Sequence, residues 1–239
     1  MPASLDRSSL VFLAQLAEQA ERYDEMADYM KTVVTSDATP LDLEERNLLA
    51  VAYKNVIGSR RAAWRVLQAI ETHRKSERVE HVQKYRLKIE AELQATCDEM
   101  LEMLNKQLLP SASSPEDSVF YLKTQGDYYR YLAEFQSKEQ GACEKALACY
   151  GQATDIATSK LHSTNPLRLG LALNFAVFYC EIMKLPDRAC QLAKQAFDDA
   201  IADMDSLTEE SFRDAAMILQ IIRDNLTLWT SEEDDDHHP

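Results

Sequence analysis

The chain has 239 residues, 46% of them apolar, and carries 26 Lys and Arg against 40 Asp and Glu, a formal net charge of −14. Five glycines and seven prolines are too few for the turns of an all-β sandwich, and the apolar content is too high for a disordered chain. The acid excess argues against nucleic-acid binding, which rests on neutralising phosphates.

Helical periodicity runs almost throughout. It predicts nine helices, at 4–19, 23–35, 41–74, 77–109, 116–139, 142–161, 166–183, 186–204 and 209–229. In the first, Phe12, Leu16 and Ala20 stack at i, i+4 and i+8. The third opens with an acidic turn after Pro40 and spans 34 residues, about 51 Å at 1.5 Å per residue. Helices of that length suit an open array of antiparallel helices better than a closed globule. Pro110 and Pro115 bracket a Ser-rich loop, Ser111–Ser114, while Pro166 and Pro186 fit the first turns of the seventh and eighth helices. The ninth ends near Trp229, and Glu232–Asp236 contribute five consecutive acids to a tail, 232–239, expected to be disordered.

Motifs for chemistry are absent. The glycines are isolated, so no phosphate-cradling loop forms. Cys143 and Cys149, or Cys180 and Cys190, lack metal-site spacing, and His73, His81, His237 and His238 lie in polar surroundings, so no metal and no cofactor are expected. No nucleophile elbow is present, and a non-enzymatic binding protein is the expectation. The odd cysteine count, with Cys97 the fifth, reads as reduced thiols packed as small apolar residues. No apolar run reaches the length of a membrane span, and no leader segment is visible, so no membrane insertion is expected.

Helix faces carry the remaining signal. Lys54, Arg61 and Arg65 recur at i, i+7 and i+11, so both arginines point within about 20° of Lys54. Arg60 points elsewhere. In the fifth helix Lys123, Arg130, Tyr131 and Glu134 share a face; Leu173, Asn174, Val177 and Glu181 do so in the seventh, and Ile218, Ile221, Asn225 and Trp229 in the ninth. Each stripe alone is the ordinary solvated or core-facing side of a helix. Together they describe a groove with one basic and one apolar wall. A helical scaffold of the tetratricopeptide kind, binding peptides without regard to phosphorylation, is the competing reading.

Five stretches resemble the 14-3-3 family: Arg46–Gly58 (RNLLAVAYKNVIG), Val119–Lys123 (VFYLK), Gly126–Glu134 (GDYYRYLAE), Pro166–Phe175 (PLRLGLALNF) and Arg223–Ser231 (RDNLTLWTS). The resemblance runs from about Leu5 to Ser231. It implies an all-α fold of nine antiparallel helices in a cup-shaped protomer with a concave amphipathic groove. It also implies one domain over 1–231, with 1–110 as dimerisation half and basic wall and 111–231 as the rest of the groove. The implied role is a cytoplasmic and also nuclear adaptor in signal transduction. It would bind phosphoserine and phosphothreonine segments of diverse proteins as a homodimer or heterodimer.

By that resemblance Lys54, Arg61, Arg130 and Tyr131 bind the phosphate, and Asn174 and Asn225 hold the peptide backbone. Leu173, Val177, Ile218, Ile221 and Trp229 form the apolar wall, supported by Arg65, Lys123, Glu134 and Glu181. Across a dimer interface Leu16 and Ala20 would meet Val66 and Tyr85, Arg22 would pair with Glu92, and Glu25 with Lys88. Departures from the family pattern include Ala63 in place of a frequent serine and Cys180 in place of a common tyrosine. Gln125 stands where a basic residue is frequent, and is expected beside the groove.

Overall fold

The structure, a computed structural model, describes residues 5–36, 39–73, 78–136 and 141–235; of 73, 206 and 232–235 only the backbone course is described. The described residues form nine helices and no strand. They divide into two compact units within the Ser111–Ser114 loop, one up to Ala112 and one from Ser113.

In the first unit, α1 (Arg7–Gln19), α2 (Tyr23–Ser36), α3 (Leu43–His73) and α4 (Val79–Met103) pack in succession. Asp6 caps α1 by accepting from the Ser9 N–H, 2.8 Å away. At the start of α3, Asp42 Oδ1 accepts from the Glu45 N–H (2.9 Å) and Glu45 Oε2 accepts from the Asp42 N–H (3.0 Å), so two orphan donors are satisfied reciprocally. The same carboxylate takes a forked pair of bonds from Arg7, at 2.7 and 2.8 Å, which fastens the start of α1 to the start of α3. The core repeats the helical period: Leu10, Ala14 and Ala17 from α1, Met26, Met30 and Val33 from α2, Leu49, Ala52, Tyr53 and Ile57 from α3, and Leu93, Cys97 and Met100 from α4 are all buried. The buried Tyr53 hydroxyl and the Lys31 ammonium both donate to Glu99, tying α2, α3 and α4 together.

The second unit holds α5 (Pro115–Phe135), α6 (Ala142–Lys160), α7 (Pro166–Val177), α8 (Pro186–Asp203) and α9 (Glu209–Asp235). Ser114 and Asp117 form a capping box around Pro115, and Asn165 caps α7 ahead of Pro166. Alanines 189, 193, 200 and 215, all fully buried, let α7, α8 and α9 approach closely around Leu169, Ile222 and Trp229.

Several expectations need correcting. The fourth and seventh helices do not run on as regular α-helix: each ends in a π-helical turn, Leu104–Leu108 and Phe178–Ile182. The ninth continues past Trp229 to Asp235, so the first part of the tail is helical where disorder was expected. Residues 236–239, and the expected helix ends at 74, 77 and 137–139, lie outside the described residues.

Candidate functional site

A buried polar cluster of the second unit starts from helical spacing. Lys123, Asp127, Arg130 and Glu134 lie at i, i+4, i+7 and i+11 on α5, on one ridge. Asp127 is its centre. Lys123 Nζ lies 2.9 Å from Asp127 Oδ2, and Arg130 Nη2 lies 3.6 Å from Oδ1. From α6 the Tyr150 hydroxyl donates to Oδ1 at 2.6 Å. From α7 the Asn174 amide donates to both carboxylate oxygens, at 2.8 and 3.0 Å. Burial alone would raise the Asp127 pKa, but Lys123, Arg130 and the Tyr150 hydroxyl outweigh it and hold the carboxyl below the ordinary aspartate range.

Arg130 is buried with it. Its Nε donates to the Tyr150 hydroxyl at 3.2 Å, and its guanidinium carbon sits 4.7 Å from the Tyr131 ring centroid. Its Nη1 lies 4.0 Å from Glu134 Oε1, so both carboxylates stand off its terminal nitrogens by more than a hydrogen bond. Burial disfavours the charge, yet Tyr150 and Asp127 beside it hold the guanidinium more firmly protonated than an ordinary arginine. Burial and Asp127 likewise push the Tyr150 phenol upward, so it stays a neutral donor.

The apolar side comes from α7 and α9. Leu173, Val177 and Ile218 are half-buried against the core of this unit, and Ile221 is exposed. Trp229 is only 5% exposed, so it belongs to the core beneath that edge and corrects the expectation of an open groove wall. Asn225 is half-buried and Glu181 exposed. Gln125 is corrected too: it is buried and accepts from the Cys149 thiol at 3.2 Å, facing α6 and not a groove.

The first unit contributes its own stripe on α3, with Lys54 and Arg65 exposed and Arg61 half-buried. Arg60 turns away, as expected. It reaches Asp24 of α2 at 2.8 Å and Glu92 of α4 at 3.5 Å. Leu16, Ala20, Val66 and Tyr85 are exposed. The charges expected to cross between protomers are paired within this chain: Arg22 with Glu25, and Lys88 with Glu92 at 3.9 Å.

A family model described as "14-3-3 protein" matches residues 13–230. The chain belongs to the 14-3-3 family. It is 54% identical to "14-3-3-like protein B" of Hordeum vulgare, over 98% of this chain and 92% of that protein. It is 55% identical to a "14-3-3-like protein" of Solanum tuberosum, over 96% and 92%. It is 54% identical to "14-3-3-like protein GF14 omega" of Arabidopsis thaliana, over 96% and 92%. Membership makes this 14-3-3 protein a regulatory adaptor. No helix among the described residues is long and apolar enough to cross a membrane.

Sequence reasoning passed over four residues that the geometry brings forward. Asp127 was legible as i+4 from Lys123 and i−3 from Arg130. Tyr150, the one tyrosine of α6, gave no signal, because nothing in its spacing shows that it reaches the carboxylate on α5. Met217 (63% exposed) and Leu228 (54% exposed) extend the apolar side of α9 and were hidden by the amphipathic pattern around them.

Proposed function

We propose that this 14-3-3 protein grips phosphoserine or phosphothreonine in extended segments of partner proteins, without catalysing a reaction. The observation that carries the reading is Arg130. It is a buried, firmly charged guanidinium, framed by Asp127, Tyr150 and Tyr131, whose terminal nitrogens are not taken up by tight carboxylate bonds. A phosphate dianion brings three strong acceptors to such a donor. Lys54 and Arg61 of α3 would complete the clamp, with Tyr131 donating its hydroxyl and Arg65, Lys123, Glu134 and Glu181 in support. Asn174 and Asn225 would hold main chain, which every partner offers. The apolar edge of Leu173, Val177, Ile218 and Ile221 would take side chains beside the phosphate.

The protein would act as a dimer, in the cytoplasm. Leu16, Ala20, Val66 and Tyr85 supply exposed apolar surface for that contact, and their exposure supports it. On pairing, Arg22 and Glu25 would exchange each other for Glu92 and Lys88 of the second copy. Two linked grooves raise avidity for doubly phosphorylated partners by about 10²–10⁴.

The test is fluorescence anisotropy with a labelled phosphoserine peptide. Lys54→Ala and Arg61→Ala are each expected to weaken binding by at least about tenfold, the scale of one charge-assisted bond, with little change in Tm. Unchanged affinity in both would sink the assignment.

A further inference from the structure

An asparagine side chain presents a donor at one end and an acceptor at the other, and a half-exposed one can offer either to a ligand. Asn174 has lost that choice. Its Nδ2 is within hydrogen-bond distance of both oxygens of Asp127, at 2.8 and 3.0 Å. An ionised carboxylate only accepts, so the NH₂ group must face Asp127 and the carbonyl Oδ1 must face away. The carboxylate itself cannot turn aside. Lys123 holds Oδ2, and the Tyr150 hydroxyl holds Oδ1. Tyr150 is in turn positioned by the absence of a side chain at Gly126, where a Cβ would stand 2.8 Å from its ring.

We propose that Asp127 is a positioning residue that fixes the polarity of the Asn174 amide, so that this point of the groove presents an acceptor and reads a backbone N–H of the bound segment. The inference rests on the peptide-binding reading given above and sharpens it. The ligand must offer an N–H at that place, so proline is excluded there while any other residue is accepted. Asp127 thereby joins two tasks on one carboxylate: it frames Arg130 for the phosphate and orients Asn174 for the main chain.

The experiment is an ester scan. A phosphoserine peptide is made in which each backbone amide within two residues of the phosphoserine is replaced in turn by an ester, which deletes one N–H. With the wild-type protein, one ester position is expected to weaken binding by about tenfold. Asn174→Ala should weaken the all-amide peptide by a similar factor and show no further loss for that ester. Ester penalties of equal size in wild type and Asn174→Ala at every position would overturn the proposal.

A second measurement leaves Asp127 and its neighbours intact. The side-chain NH₂ signals of Asn174 in an ¹⁵N spectrum, assigned by their loss in Asn174→Ala, should exchange slowly with solvent before peptide is added and stay protected after. Rapid exchange in the free protein would also contradict the fixed amide. Asp127→Asn removes the obligate acceptor and, if folded by circular dichroism, should shrink the ester penalty at the sensitive position. A full penalty in that folded variant would overturn the role of Asp127. If wild type instead binds phosphorylated and unphosphorylated peptides alike, the clamp reading fails, while the NH₂ signals still report on the amide.

Discussion

Tyr150 lies so close to Gly126 that a Cβ at position 126 would stand 2.8 Å from Cδ1 and 2.9 Å from Cε1 of the ring. The glycine is there for space, since its backbone is ordinary helix. Without it α6 could not bring the phenol against Asp127 and Arg130. Gly126→Ala gains helix propensity yet forces the ring to shift. Overpacking is expected to win, with a net loss of about 1–3 kcal/mol in stability by urea unfolding. Phosphopeptide affinity should fall as well. Normal stability with normal affinity would show that the ring finds room.

Glu45 is buried and depends on Arg7, which remains about a quarter exposed. Arg7→Ala removes the forked pair of bonds to this buried carboxylate and keeps its helix-capping bond to the Asp42 N–H. The expected cost is about 2 kcal/mol, below the 3–5 kcal/mol of a fully buried broken pair because solvent reaches the Arg7 side. Thermal unfolding of the variant checks this. A change within about 0.5 kcal/mol would mean that the pair only decorates the surface.

Glu21 links α1 and α2 with φ at 55°, in the left-handed region, while the Arg22 N–H closes on the Ala17 carbonyl at 2.8 Å. A side chain carries strain there that glycine does not. Glu21→Gly relieves about 1–2 kcal/mol of left-handed strain and gives part of it back in the entropy of the freer glycine, so a small net stabilisation is expected, read as a higher urea midpoint. Destabilisation would place the controlling term in the unfolded chain.

Asp127 sets an acid limit. Its folded pKa is depressed, so its contribution is fully present above the unfolded value near 3.9 and is lost as pH falls through the folded value. Urea midpoints should drop below about pH 4 in the wild type and drop less in Asp127→Asn. Equal slopes would assign the acid sensitivity to other carboxylates.

Cys149 has the opposite chemistry. Burial pushes its thiol up to about 11, and the thiol donates to Gln125. Native protein at pH 8 should leave Cys149 unlabelled by a thiol reagent, as mass spectrometry of peptides would show. Labelling in the folded state would contradict the packing of α5 on α6.

The sequence made most of this architecture legible because prolines and caps punctuate it. Pro115, Pro166 and Pro186 stand at the first turns of three helices, where their missing N–H is harmless. The π-helical turns at Leu104 and Phe178 left no trace, since each covers only five residues at a helix end, too few for its change of phase to stand out from the apolar pattern. Trp229 shows why a stripe is ambiguous. It lies about 20° from Ile218 on the helical wheel, yet its ring folds into the core while Ile218 remains at the edge. Gln125 differs for another reason: family resemblance carries a position's usual residue, whereas its direction is fixed here by the Cys149 thiol. Asp127 escaped because an acid beside two cations reads as a surface ion pair until its burial is known.

On the proposed function, Arg130 and its frame serve to hold a phosphate. The direct measurement is titration of the wild-type protein with one peptide sequence in phosphoserine and serine forms, at fixed salt. The phosphorylated form is expected to bind about 100-fold tighter or more, since serine brings no acceptor dianion to the terminal nitrogens of Arg130. Equal affinity for the two peptides would contradict the account.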